Sequence, residues 1–103
     1  MLFRSSVADW LSTTLARSGL ATEVDRWHED VPRLGDVELR NVAVVIRGAG
    51  RGVILVTAHR DNDGAGAGAN DNATGTAALI QLARAFGTAG TTSARPRPLH
   101  TLV

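Results

Sequence analysis

Apolar residues recur along this chain in two rhythms, and their alternation divides it into helices and strands. Val7, Trp10, Leu11, Thr14 and Leu15 fall on one face at helical spacing. Ser5 or Ser6 stands in capping position before them and Gly19 closes the segment, so the pattern predicts a first helix. Thr22–Trp27 reads as a short strand, and His28–Gly35, polar and containing Pro32, as a turn. Val37–Ile46 reads as a longer strand whose Val42, Val44, Val45 and Ile46 are β-branched. Gly48–Gly52 is a tight connection. Val53–Ala58 has no polar alternation, the pattern of a central strand covered on both faces. The strands flanking Gly48–Gly52 could pair as a hairpin.

Beyond them, Ala73–Phe86 carries an apolar stripe of Ala78, Leu79, Leu82, Ala83 and Phe86, with Gly87 placed as a left-handed cap. Residues 88–98, rich in Thr, Ser, Arg and Pro, read as a surface linker, and Leu99–Val103 begins another buried strand. Strand, helix, linker and strand make one βαβ crossover, which predicts an α/β sandwich with a mixed sheet. Because the sequence ends inside that strand, the expectation is a truncated product with an unpaired strand edge at Leu99–Val103.

Composition narrows the chemistry. The 103 residues are 44% apolar, ordinary for one small globular domain. The net charge of +1 gives no field favouring nucleic acid or membrane. All eleven basic residues are arginine, which reads as codon bias more than a nucleic-acid footprint. Aromatic residues, at 4%, are too few for a base-stacking platform, and Trp10 and Trp27 read as core aromatics. No apolar run approaches the roughly 20 residues of a membrane span. Without cysteine, any metal must be held by His, Asp or Glu.

Those ligand types concentrate in one place. His59 and Asp61 follow the Val53–Ala58 strand, and Asp63 and Asp71 lie in or just after the glycine-rich stretch that leads into the second helix. In a continuing strand His59 and Asp61 share a face, so Asp61 can receive one ring N–H of His59 while the other nitrogen binds metal. Asp71 sits at a helix N-terminus, which favours negative charge. The bland alternative is a solvated Asp/Asn/Gly turn. Gly64, Gly66 and Ala69 also fit a loose dinucleotide-binding fingerprint. Against that, a pyrophosphate there would face three carboxylates. A calcium loop beginning at Asp61 lacks the terminal bidentate Glu. His28 reads as a surface-turn residue and His100 as a core or edge residue.

Ala58-His59-Arg60-Asp61, a loop, then Gly68-Ala69-Asn70-Asp71-Asn72-Ala73-Thr74-Gly75 and an apolar helix resemble the co-catalytic zinc aminopeptidase and carboxypeptidase family. Bacterial leucyl aminopeptidases, aminopeptidase Y and glutamate carboxypeptidase belong to it. Arg40–Gly48 is similar to that family's upstream strand. The resemblance covers residues 20–103, with the helix of residues 1–19 less specific. It implies a three-layer α/β/α sandwich with a mixed sheet, present here as the N-terminal part of a single peptidase domain.

Carried over by resemblance, His59 binds one zinc ion, Asp71 bridges two, and Asp61 orients His59 as the catalytic-site carboxylate. The two ions, about 3.5–4 Å apart, would activate water for attack on a peptide substrate. The resemblance also implies a cis peptide between Asp71 and Asn72, and a Gly75 that lets the helix approach the sheet. The family's Glu-Glu pair, a further Asp or Glu and a final His are expected only beyond Val103, and no Asp or Glu follows Asp71. The expectation is therefore a zinc exopeptidase of aminopeptidase type whose 103-residue chain is inactive alone. The alternatives are a non-catalytic α/β binding or assembly module and, behind it, a dinucleotide-binding βαβ unit.

Overall fold

The computed structural model describes residues 2–62, 64–87 and 97–103. Helix α1 (Leu2–Arg17) leads into strand β1 (Thr22–Val31), which turns back as β2 (Gly35–Val44). A short strand β3 (Val53–Ile54), helix α2 (Thr74–Gly87) and strand β4 (Thr101–Leu102) complete the order. The predicted linker lies mostly outside the described residues.

The hairpin differs from the expected one. β1 and β2 pair antiparallel from Thr22↔Val44 to Val31↔Gly35. The connection is a tight turn in which Leu34 N–H donates to the Val31 carbonyl at 2.9 Å. Pro32 and Arg33 hold its central positions, and Arg33 takes φ 70°, the type II pattern with proline first and a positive φ second. His28 therefore lies in a strand, opposite Glu38. The charged run from His28 to Asp30 masked the strand because exposed strand positions tolerate charges when the opposite strand supplies partners.

Helix α1 covers one face of this hairpin, burying Ala8, Leu11 and Leu15. That stripe is rotated from the expected one, and Trp10 is 57% exposed. It borders a shallow groove shared with Ala77 and Gln81 of α2. Trp27 is likewise partly exposed, its indole N–H donating to Glu29 at 3.3 Å. The helix ends with Gly19 N–H on the Ala16 carbonyl and Leu20 N–H on the Leu15 carbonyl, at 2.9 and 3.2 Å, a Schellman-type closure. The turn delivers Leu20 into the main core with Leu11, Leu15 and Ile80 of α2, against Val42, Val44 and Ala83. Gly87 is not a left-handed cap. It is the last residue of α2, and a Cβ there would lie 2.1 Å from Leu20 Cδ2. Close packing of Leu20 is what requires glycine.

β3 and β4 pair in parallel on either side of α2, forming the predicted βαβ crossover. The strands flanking the Gly48–Gly52 connection do not form a hairpin with each other. β4 lies between them: Leu102 bridges Ile46 antiparallel while pairing with Ile54 in parallel. β4 is thus bonded on both edges and is not the unpaired edge expected of it. The described residues form an α/β arrangement of mixed strand direction, with α1 and α2 together over the Val42–Val44 face.

Val53–Ala58 corrects another expectation. Only Val53 and Ile54 form regular strand, and Val53, Ile54, Leu55 and Val56 are all exposed. The helices gather over Val42 and Val44, and α2 stands off from β3. An open apolar trough of about 1000 Å³ separates the Leu79–Leu82–Phe86 stripe from Ile54–Ala58. Among the described residues, no helix is long and apolar enough to cross a membrane.

Candidate metal centre

The segment after β3 leads directly into the site. Arg60 Nη2 donates to the Arg40 carbonyl of β2 at 2.9 Å, tying this segment to the hairpin. On either side of Arg60, His59 and Asp61 turn to meet each other. His59 Nδ1 lies 3.2 Å from Asp61 Oδ1 and 3.3 Å from the Asp61 carbonyl oxygen. The other ring nitrogen, Nε2, lies 3.2 Å from Asp71 Oδ1. One imidazole thus stands between two carboxylates that are ten residues apart in sequence. Asp63 lies outside the described residues.

Asp71 reaches His59 because the chain does not enter the helix directly. Residues Ala69–Ala73 form a wide turn in which Ala73 N–H donates to the Gly68 carbonyl at 3.0 Å. Within it Asp71 and Asn72 leave helical geometry, and the Asp71–Asn72 peptide is cis, as the resemblance implies. Regular helix begins at Thr74, one residue later than the pattern predicts.

Asn72 is the residue that sequence reasoning missed. Its side-chain amide donates to the His59 carbonyl at 3.2 Å, and its Oδ1 accepts from Gly75 N–H at 3.0 Å. One side chain therefore caps α2 and anchors the backbone of the site histidine. The signal was present: an Asn two residues before an apolar helix is a capping residue by type. Gly75 serves this contact. A Cβ there would run into the side-chain amide of Asn72, so glycine makes room for the cap.

Asn62 plays a comparable part in the loop, donating to the Gly66 carbonyl at 2.9 Å. His28 and His100 lie apart from this cluster. His28 Nδ1 sits 3.3 Å from Asp36 Oδ2 on the hairpin, and His100 is exposed at the bend before β4.

The cluster is open to water, the side chains of His59, Asp61 and Asp71 being 57%, 66% and 83% exposed. Its donors suit a divalent ion. Tetrahedral zinc with bonds near 2.0–2.2 Å places neighbouring ligand atoms about 3.3 Å apart, and the His59–Asp71 separation is 3.2 Å. Asp61 meets the opposite nitrogen, where a carboxylate fixes the tautomer of a metal-binding imidazole. Among the described residues, however, no group of three or more His, Cys, Asp or Glu could hold a metal. The dinucleotide alternative fits poorly, because Asp71 stands just ahead of the helix N-terminus and Asp61 faces it across His59.

A solvent-facing histidine–carboxylate cluster at the carboxyl end of a parallel strand, followed by a helix, is a ligand-site placement typical of α/β proteins. The family model for peptidase family M28 matches residues 41–100, more than half of the chain. The chain belongs to peptidase family M28. That match spans the end of β2, β3, the whole cluster and α2, and starts after α1 and β1. No curated protein matches the chain.

Proposed function

We propose that His59 and Asp71 are zinc ligands of an aminopeptidase-type exopeptidase site and that Asp61 positions His59. The carrying observation is the placement of His59, with Nδ1 on Asp61 and Nε2 3.2 Å from Asp71, inside the family-matched residues. Bound zinc would supply an activated water and polarise a substrate carbonyl, the second ion sharing Asp71. The chain's own groups prepare that site. In this reading His59 Nδ1–H donates to Asp61, which leaves the Nε2 lone pair facing Asp71. Asn72 holds the His59 backbone to the start of α2. The exposed rim leaves room for a peptide substrate. A three-layer sandwich, with further cover over the bare face of the strands, is the architecture this reading implies.

No Asp or Glu follows Asp71, so that part of the chain supplies no carboxylate base. The 103-residue protein should bind zinc weakly and turn over no peptide. The absence of a three-ligand group among the described residues favours one second reading, a non-catalytic α/β module that retains the scaffold for binding or assembly. Calorimetric zinc titration separates the two. On the peptidase reading, His59→Ala and Asp71→Ala each weaken binding by about tenfold or more, while His28→Ala leaves it unchanged. Equal affinity in all four proteins would sink the ligand assignment. Peptide turnover by the pure chain that chelator abolishes would overturn the expected inactivity.

A further inference from the structure

The His59 segment stands away from the packed core, so something other than burial sets its position. The last backbone–backbone hydrogen bond before the site is made by Val56 N–H, at 2.8 Å. Among the described residues, Thr57, Ala58 and His59 make none. Val53–Val56, which lead into the site, are exposed, and the His59 side chain is 57% exposed. Neither strand pairing nor packing aims the imidazole.

Two side-chain bonds take over that task. Asn72 holds the His59 carbonyl at 3.2 Å. One such bond fixes a point but leaves the segment free to roll about it and swing the ring away. Arg60 supplies a second anchor on a different element, its Nη2 donating to the Arg40 carbonyl of β2 at 2.9 Å. Successive side chains of an extended segment leave on opposite sides. His59 and Asp61 meet each other on one side, while Arg60 reaches β2 from between them. Pinning Arg60 therefore sets the roll that turns the His59 ring toward Asp71.

The acceptor is a firm one. Arg40 lies inside the β1–β2 ladder, opposite Arg26. Its own side chain, 17% exposed, bonds Glu38 and pairs with Asp9 of α1 at 3.2 Å. Contacts thus run from α1 through Arg40 and Arg60 to the residue beside His59. Asp9 and Arg40 both precede the family-matched residues 41–100, so this support comes from outside the matched segment. Arginine suits the role, because its guanidinium stays charged and carries its donors at the end of a long stem. A charged donor also strengthens the bond to a neutral carbonyl.

We infer that Arg60 is a positioning residue of the site: anchored on the β2 backbone, it holds His59 Nε2 in place beside Asp71. The consequence for zinc rests on the reading of His59 and Asp71 as ligands. The aim of the ring does not, and it can be read without metal.

The test compares the 103-residue parent with Arg60→Ala and with Arg60→Gln, whose side-chain amide ends short of the Arg40 carbonyl. Arg47→Ala, an exposed arginine beyond β2, controls for lost charge. Without zinc, magnetic resonance should show cross-relaxation between the His59 ring protons and the Asp71 β protons in the parent and in Arg47→Ala. Both Arg60 variants should lose it, while amide exchange across the β1–β2 ladder stays at the parent's rates. Calorimetry with zinc should then show binding weakened about tenfold in both, the low end of what removing support from a metal-binding imidazole costs. Cross-relaxation retained in either Arg60 variant would overturn the inference. So would its loss in Arg47→Ala, or faster exchange throughout the ladder of the Arg60 variants, which would make Arg60 a residue of general stability. A parent that binds no zinc would sink the ligand assignment, and the metal-free contact would still decide the role of Arg60.

Discussion

The two ends of this molecule are held together by different means. The hairpin of β1 and β2 is a ladder of ten residue pairs, covered on one face by Ala8, Leu11 and Leu15 of α1. The site region, from β3 through the start of α2, has two-residue strands, and its apolar residues from Val53 to Val56 face water. There the backbone is positioned by side chains: Arg60 on the Arg40 carbonyl, Asn62 on the Gly66 carbonyl, Asn72 on the His59 carbonyl. Repetitive backbone pairing and burial build one end. Individually placed amides and a guanidinium build the other. The candidate site lies where the fold is least self-supporting, as expected of regions that bind ligands.

The largest test of this contrast compares two leucines. Leu15 is 5% exposed and joins the hairpin to Ile80 of α2, whereas Leu55 is 68% exposed. Leu15→Ala should cost about 2–4 kcal/mol, enough to melt much of a small domain. Leu55→Ala should change stability by less than about 0.5 kcal/mol. Urea unfolding followed by tryptophan fluorescence measures both. Similar losses from the two substitutions would show that the site region is as well packed as the hairpin.

A smaller effect separates capping from site geometry. Gly75→Ala forces Asn72 from its place, and Asn72→Ala removes the same contacts without the clash. Loss of an N-terminal cap costs about 1 kcal/mol. Alanine's better helix propensity returns up to about that much in a helix interior, and less in the first turn. Net destabilisation by Gly75→Ala should thus be small, while the His59 ring resonances shift in both variants. An unmoved His59 in either variant would remove Asn72 from its anchoring role.

How much of this was legible in the sequence follows the same division. The βαβ crossover and the segment carrying His59, Asp61 and Asp71 were readable, because strand, glycine-rich loop and apolar helix each leave a strong local pattern. The extent of β1 was not. His28, Glu29 and Asp30 look like a turn until Asp36 and Glu38 arrive from the opposite strand. The exposure of Val53–Val56 was also hidden, since a continuous apolar run reports what a segment could bury and not what covers it. Gly75 and Gly87 were visible as special positions, but their reasons were not. Asn72 and Leu20 crowd them through contacts that no spacing rule contains.

The smallest expected effect lies on the hairpin and tests whether its charges matter to it at all. Arg26 and Arg40 stand directly opposite each other, a repulsive pairing. Arg40 offsets it by hydrogen bonding to Glu38 and pairing with Asp9 at 3.2 Å. The hydrogen bond from Arg40, with the positive charges of Arg40 and Arg26 nearby, holds the Glu38 carboxyl below the ordinary carboxylate range. A carboxyl depressed by folding adds stability above its unfolded pKa, and that stability is lost as pH falls toward its folded value. Acid should therefore erode the hairpin of the parent protein slightly more than that of Glu38→Gln, in a window at and just below ordinary carboxylate titration. Added salt should shrink the difference, because Glu38 is exposed to water. Parallel stability–pH curves for parent and variant between pH 7 and pH 3 would mean that the β1–β2 ladder alone sustains this end, and that its surface charges only keep like from meeting like.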